Sequence, residues 1–309
     1  MGGPTPGLIV RGGAVVAATV AAVWALAYPH NPVAGAATRA LADCAAVITL
    51  GLATVPLLES DRYRAELGRR AAGPLGLAAA VWLVTEIVRL TVEAAQTAGV
   101  GFWQIGIRTL TDFCLYTTAG RSGLVGVAAA LAVAAVAVLA PRGATTTVAA
   151  VGLAAVGMAA RTLAGHLAES PVGGMAVAVH GLAAAVWCGV LAALVLTVTH
   201  RGQWARVLPR FSQLSLWCVG VLLAAGVAGA AIKLDSPTEL WATGYGRVLA
   251  AKVVVTAALL VLAWRNRSQW LPAARAHRSS ATLSQNRSLV ELGMMAVAVT
   301  LAAALAVTG

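Results

Sequence analysis

The chain of 309 residues is 60% hydrophobic and only 11% charged, with a mean hydropathy of +0.83. This composition excludes a water-soluble domain whose apolar residues face one core, so lipid must be its main solvent. The net charge of +11 would suit a nucleic-acid partner. However, most of the cations fall in the linkers between apolar segments, as loop charges of membrane proteins do, and we therefore expect no nucleic-acid partner.

Nine stretches are apolar over about 17 to 25 residues, enough for a helix to cross roughly 30 Å of hydrocarbon. In chain order they lie at 9–28, 36–58, 74–96, 117–140, 147–165, 176–199, 211–232, 244–264 and 288–308. Their Ala, Val, Leu and Gly content favours closely packed helices. The predicted fold class is all-α, a polytopic integral membrane helix bundle forming one membrane domain over residues 1–309. The first stretch, from Arg11 to Ala27, also resembles a signal peptide, whose cleavage would leave eight spans.

The positive charges predict the orientation of the bundle. When successive linkers are placed on alternate sides, most of the 22 Lys and Arg residues fall on one side, notably in linkers 59–73 and 265–287. Linkers rich in Lys and Arg stay in the cytoplasm. We therefore expect a cytoplasmic N-terminus, an external C-terminus and a multi-pass protein.

A short motif recurs in the two halves of the chain. Thr117 to Arg121 (Thr-Thr-Ala-Gly-Arg) opens the fourth span, and Thr243 to Arg247 (Thr-Gly-Tyr-Gly-Arg) opens the eighth. This recurrence predicts a duplicated unit, residues 9–140 and 147–264, with 288–308 as an additional helix. Since each unit has four spans, both copies would point the same way through the membrane. Chance recurrence in an Ala-rich sequence is the alternative.

Charged side chains inside the spans need a reason, because each costs at least about 2.5 to 3.5 kcal/mol on insertion scales. Glu86, Arg89 and Glu93 are spaced to share one face of the third span, where they can pair. Three further cations lie in the outer parts of other spans: Arg161, Arg247 and Lys252. We expect these six residues to line a polar cavity or to form an ion-pair network, with snorkelling as the alternative for Arg247.

Three histidines lie on the predicted outer side. His166 ends the fifth span and His180 lies about a turn inside the sixth, joined by a short linker that contains Met175. A hairpin this short could bring both imidazoles to one metal ion. Neutral imidazole with a thioether suits copper, and Met175 would favour Cu(I) over Cu(II). His30 occupies the corresponding outer position in the first half. We expect these four residues to bind a copper ion.

A series of motifs in the second half resembles the CopD family, membrane proteins associated with bacterial copper resistance and copper uptake. The series is Gly165-His166, then His180 to Leu191 (His-Gly-Leu-Ala-Ala-Ala-Val-Trp-Cys-Gly-Val-Leu), then Arg210-Phe211-Ser212, then Tyr245 to Lys252, then Glu291. In one departure, the family's usual Trp-x-Gly-Gly-Leu reads Trp187-Cys188-Gly189-Val190-Leu191. The resemblance covers residues 147–309. It implies copper transport or transfer at the bacterial plasma membrane, with His166 and His180 as first ligands. A second departure, the absence of an attached periplasmic copper-binding domain or a His/Met-rich tail, leaves open who delivers the metal, and a periplasmic copper chaperone is one candidate partner.

The sequence suggests no enzyme and no catalytic residues. It lacks a P-loop, so copper movement would be driven by gradients or by ligand exchange. Two other functions remain open. The protein could be a membrane redox protein whose histidines ligate haem, or a non-transporting assembly factor that supports copper insertion into a respiratory oxidase.

Overall fold

The computed structural model describes residues 6–28, 33–140, 143–163, 171–233, 238–275 and 280–308, and these residues form helices and turns without a strand. The α-helices are α1 (Pro6–Leu26), α2 (Val33–Thr54), α3 (Asp61–Thr97), α4 (Ile107–Tyr116), α5 (Thr118–Leu139), α6 (Ala144–Leu163), α7 (Pro171–Thr197), α8 (Arg201–Lys233), α9 (Glu239–Ala242), α10 (Gly244–Arg265), α11 (Leu271–Arg275) and α12 (Ala281–Thr308). Short 3₁₀ turns at Val55–Leu58 and Phe102–Gln104 and a π-helical turn at Asn266–Trp270 connect some of them.

Eight helices in the described part of the chain are long and apolar enough to cross a membrane. They are α2, α3, α5, α6, α7, α8, α10 and α12, each at the position of a predicted span. At the place of the predicted first span lies a shorter apolar helical segment, Val10–Leu26. The predicted all-α, polytopic helix bundle is thus confirmed.

Two helices extend well beyond the predicted spans into the charged linkers. Helix α3 starts at Asp61, and not near residue 74, and α8 starts at Arg201, and not near residue 211. Ion pairs within the first turns of α3 account for its extension, since oppositely charged side chains three or four residues apart stabilise a helix. Arg64 pairs with Asp61 at 2.6 Å, and Arg70 pairs with Glu66 at 2.6 Å.

The two Thr-x-x-Gly-Arg motifs form the same helix start. Thr117 Oγ1 accepts a hydrogen bond from the Gly120 amide at 2.9 Å, and Thr243 Oγ1 accepts one from the Gly246 amide at 2.9 Å. A threonine that satisfies a free amide in the first turn is a favourable N-cap. The motifs therefore fix where α5 and α10 begin, while the duplication of the halves stays a prediction.

Helix α2 lies at the centre of the bundle and crosses α7 in backbone contact. It is the most buried span, with 67% of its apolar stretch inside the protein against 17% to 50% in the others. A Cβ on Gly51 would lie 1.9 Å from the Gly189 carbonyl oxygen, and a Cβ on Gly189 would lie 2.1 Å from the Val47 oxygen. Small residues at a crossing allow such close packing in lipid. The Gly51 and Gly189 pair thus joins the first-half helices to α7.

Candidate functional site

A buried carboxylate on α3 is bound by two arginines. The Glu86 side chain is fully buried, at 0% exposure. Arg89 Nη2 lies 2.8 Å from Glu86 Oε1, and Arg161 Nη1 on α6 lies 3.0 Å from Glu86 Oε2. Because each carboxylate oxygen accepts from a different guanidinium, the charge of Glu86 is compensated although it lies inside the membrane bundle.

The contacts continue on both sides of Glu86. Arg89 also pairs with Glu93, one turn further along α3. Arg161 Nη2 donates to Asp43 Oδ1 on α2 at 2.6 Å, and Arg39 lies 3.9 Å from the same carboxylate. The six residues of this ion-pair network are Arg39, Asp43, Glu86, Arg89, Glu93 and Arg161. Three acids and three arginines make the network neutral, and it links α2, α3 and α6.

Glycines on α5 make room for the ion-pair network. A Cβ on Gly126 would lie 2.9 Å from Glu86 Oε1, and a Cβ on Gly123 would lie 2.8 Å from Arg89 Nη2. Both glycines are buried and lie one turn apart on the same face of α5. Helix α5 therefore covers the network with backbone and not with side chains, which keeps the arginines close to their acids.

The structure brings together four of the six predicted polar residues and adds two others. Glu86, Arg89, Glu93 and Arg161 meet as described. Sequence reasoning missed the pair of Arg39 and Asp43 on α2. The sequence did contain a signal for this pair, because an acid and a base four residues apart in an apolar span rarely lack a function.

Arg247 and Lys252 lie on α10, outside the ion-pair network. Arg247 Nε donates to the Leu26 oxygen at 2.9 Å and Nη2 donates to the Tyr28 oxygen at 2.7 Å. Arg247 therefore satisfies free carbonyls at the end of α1, as basic side chains do at helix C-termini. Lys252 has no hydrogen bond or ion pair with the other described residues.

The predicted copper ligands are described only in part. His30 and His166 lie outside the described residues. Met175 is 59% exposed on α7, and the partly buried His180 follows five residues later, so the two point in directions about 140° apart on a regular helix. Within the described ranges, no three or more His, Cys, Asp or Glu side chains are grouped to hold a metal ion.

The His180 ring is held in one tautomer. Its Nδ1 lies 2.9 Å from the carbonyl oxygen of Leu222 on α8. Since a carbonyl only accepts, Nδ1–H must donate, and the neutral ring then keeps its lone pair on Nε2. Gly226, one turn along α8, leaves space for the ring, because a Cβ there would lie 3.1 Å from His180 Cε1 and Nδ1. His180 can thus offer a fixed nitrogen donor to a metal, as histidine ligands with a backbone partner do.

Two family models match the chain. The model described as Copper resistance protein D matches residues 205–306, from α8 to α12. The model described as Copper resistance protein D-like, N-terminal domain, matches residues 30–177, which include α2 to α6. No curated protein and no solved structure matches the chain. With both halves matched and eight helices able to span a membrane, the chain belongs to the CopD family and is a multi-pass membrane protein related to copper resistance and uptake.

Proposed function

We propose that the protein moves copper across the bacterial plasma membrane from a ligand site in the outer half of the bundle. The observation that carries this proposal is the fixed tautomer of His180, whose Nδ1–H donates to the Leu222 carbonyl and whose Nε2 is left as a donor to metal. His166 and His30 are the other proposed ligands at this site, and Met175, which points away from His180 on α7, is proposed as a separate thioether contact for copper. Their residue types suit copper, and both halves of the chain match models of copper resistance proteins.

The proposed orientation has the N-terminus in the cytoplasm and the C-terminus outside, because the Arg-rich starts of α3 and α8 then face the cytoplasm. Helix α7 then begins at the outer side. His180 follows Pro171 by nine residues, about 14 Å along α7 at 1.5 Å per residue. We propose that a ligand this far from the outer helix end is a position on a route through the bundle and not a surface capture site alone.

The positive charge of Lys252 favours a role in copper transfer and not in permanent copper storage. We propose that the Lys252 ammonium on α10 repels a cation bound at His180. Conduction requires an ion site that is favourable enough to enter and weak enough to leave. We propose that Lys252 keeps copper binding at His180 reversible.

The proposal includes a supply of copper and a driving force. A periplasmic copper chaperone would deliver the ion to the outer ligands, and no catalytic step is proposed for the chain. Because the chain has no phosphate-binding loop, a copper gradient or ligand exchange with acceptors would drive the movement.

Copper uptake by proteoliposomes tests the proposal. Proteoliposomes with the wild type should accumulate Cu(I) with time. Proteoliposomes with His180→Ala should take up Cu(I) at least about tenfold more slowly, because a copper ligand is removed. His200→Ala is the matched control, since His200 is an exposed histidine at the start of α8, and it should behave as the wild type. Equal uptake by the wild type and His180→Ala would overturn the proposal. An optical spectrum with haem bands that His180→Ala loses would instead support the redox alternative.

A further inference from the structure

A cleft lies in the other half of the membrane, at the end of the bundle where the Arg-rich linkers meet. It holds about 780 Å³ of space, including its open mouth. Its walls are mostly apolar and aromatic: Phe211, Leu216, Val219, Leu260, Trp264 and Trp270. We name it the inner cleft. Its apolar lining with a few polar groups is typical of small-molecule sites, where the polar groups fix the ligand.

Two buried polar groups line the inner cleft, one without a hydrogen-bond acceptor and the other without a counter-charge among the described residues. Trp187 is 2% exposed, and its Nε1–H has no acceptor among the described residues. Glu291 is 3% exposed, and none of the described cations pairs with it. Within the described part of the chain, Asn266 Nδ2 donates a hydrogen bond to Glu291 Oε2 at 2.7 Å. Buried polar groups are normally paired, and a carboxylate in a membrane span without a counter-charge marks a functional site.

Neighbouring polar side chains already form hydrogen bonds within the protein. Trp270 Nε1 donates to Ser284 Oγ at 3.0 Å, and Arg267 Nη1 donates to the oxygen of Ser212 at 2.9 Å. Asn266 and Arg267 belong to a π-helical turn, a rare form that is frequent at functional sites. Among the described residues, Trp187 and Glu291 are thus buried groups of the inner cleft with bonding capacity left for a ligand.

The inner cleft opens towards lipid. Helix α8 supplies one wall and α10 the opposite wall, and both are membrane spans. At the mouth, Leu216 is 50% exposed and Trp264 is 69% exposed. In a membrane span such apolar surfaces face the hydrocarbon, so a ligand can enter sideways from the bilayer. The ligand should therefore be lipid-soluble, with a polar head that reaches Trp187 and Glu291.

We propose that the inner cleft binds the ring of a membrane-soluble hydroquinone. One hydroxyl would donate to the Glu291 carboxylate, and an oxygen of the ring would accept from Trp187 Nε1–H. Phe211 and Trp270 line the cleft, and aromatic side chains pack favourably against a flat ring. An ammonium head would offer the Trp187 Nε1–H no acceptor. This binding is independent of the proposed copper function.

Calorimetric titration of the purified full-length chain tests the proposal, with decyl-1,4-hydroquinone added under anaerobic conditions. The wild type should bind one equivalent saturably. Trp187→Phe and Glu291→Gln should each weaken binding about tenfold, the effect of losing roughly 1.4 kcal/mol of hydrogen bonding. Decyl-1,4-benzoquinone, which has no hydroxyl to donate to Glu291, should bind the wild type more weakly than the hydroquinone does.

Trp82→Phe is the matched control. Trp82 is a fully buried tryptophan whose Nε1 also lacks a partner among the described residues, but it packs against Gly157 away from the inner cleft. It should bind hydroquinone as the wild type does. The proposal is overturned if the wild type shows no saturable binding or if decanol binds equally well. It is also overturned if Trp82→Phe loses as much affinity as Trp187→Phe, or if neither Trp187→Phe nor Glu291→Gln changes the affinity. If Trp187→Phe does not fold, Glu291→Gln and the quinone comparison still decide.

Discussion

Arg161 on α6 and Glu86 on α3 form a buried ion pair, with 3.0 Å between Nη1 and Oε2. The same guanidinium reaches Asp43 on α2 at 2.6 Å, so one side chain joins three helices. Replacing Arg161 with Ala should therefore leave buried negative charge uncompensated. We expect a loss of about 3 to 5 kcal/mol of stability, the usual cost of removing one partner of a buried pair. Thermal unfolding of the purified protein in detergent measures it.

The control and the double variant make this prediction specific. Arg108→Ala removes a 95% exposed arginine that lies 4.0 Å from Asp112, and it should leave the unfolding temperature unchanged. Adding Glu86→Gln to Arg161→Ala should restore part of the stability, because the stranded charge is removed. If the two changes are simply additive, the pair does not interact directly.

The sequence predicted the elements far better than their contacts. The apolar runs located the spans, and the spacing of Glu86, Arg89 and Glu93 predicted one polar face, because both depend on residues close in the chain. The partner of Arg161 could not be predicted, since Asp43 is 118 positions away and only the packing of α2 against α6 brings them together. Asp43 also lies among alanines that dominate the pattern of its span.

Features that depend on the packing around a residue also could not be predicted from the sequence. The chain has 32 glycines, and nothing in their spacing distinguishes Gly51 and Gly189, which meet in backbone contact, from Gly152, which faces open space. Trp187 is 2% exposed. That its indole nitrogen lacks a partner among the described residues depends on tertiary structure alone.

The proposed orientation predicts which side of the membrane each linker faces. In intact cells, a membrane-impermeant maleimide should label Arg108→Cys, before the fourth predicted span, but should label Arg62→Cys only after permeabilisation. Both positions are exposed in the structure, so access depends on the side of the membrane. The opposite pattern would invert the topology.

The native cysteines should contribute little background to this labelling at neutral pH. Burial raises the pKa of the Cys114 thiol on α4, the native cysteine outside the spans. Because the thiolate is the nucleophile, a higher pKa leaves less of it at pH 7, and the labelling of Cys114 should rise as the pH is increased. Rapid labelling of the unmodified chain at neutral pH would contradict this expectation.

Gly226 should control copper affinity through the His180 ring. A Cβ at this position would lie 3.1 Å from Cε1 and Nδ1, so Gly226→Ala must push the imidazole by a few tenths of an ångström. The hydrogen bond from Nδ1 to the Leu222 oxygen would then lengthen or bend. We expect about tenfold weaker Cu(I) binding, as for changes to the groups that orient a metal ligand.

Gly229→Ala is the control for this variant. Gly229 lies nearly one turn further along α8, and a Cβ there meets nothing within 4 Å. It should bind Cu(I) as the wild type does, in competition titrations with a chromophoric Cu(I) chelator. Equal affinities for Gly226→Ala, Gly229→Ala and the wild type would show that the His180 ring does not hold copper.

The charge of Lys252 should set how quickly copper leaves His180. Its ammonium would repel a nearby bound cation by on the order of 1 kcal/mol in a partly hydrated site, so Lys252→Met should bind Cu(I) about fivefold more tightly. Tighter binding should slow release, and uptake into proteoliposomes at saturating copper should fall although affinity rises. Lys252→Arg keeps the charge and should resemble the wild type in both measurements. If Lys252→Met binds copper no more tightly than Lys252→Arg does, the charge on α10 does not act on the copper site, and Lys252 must be assigned another role.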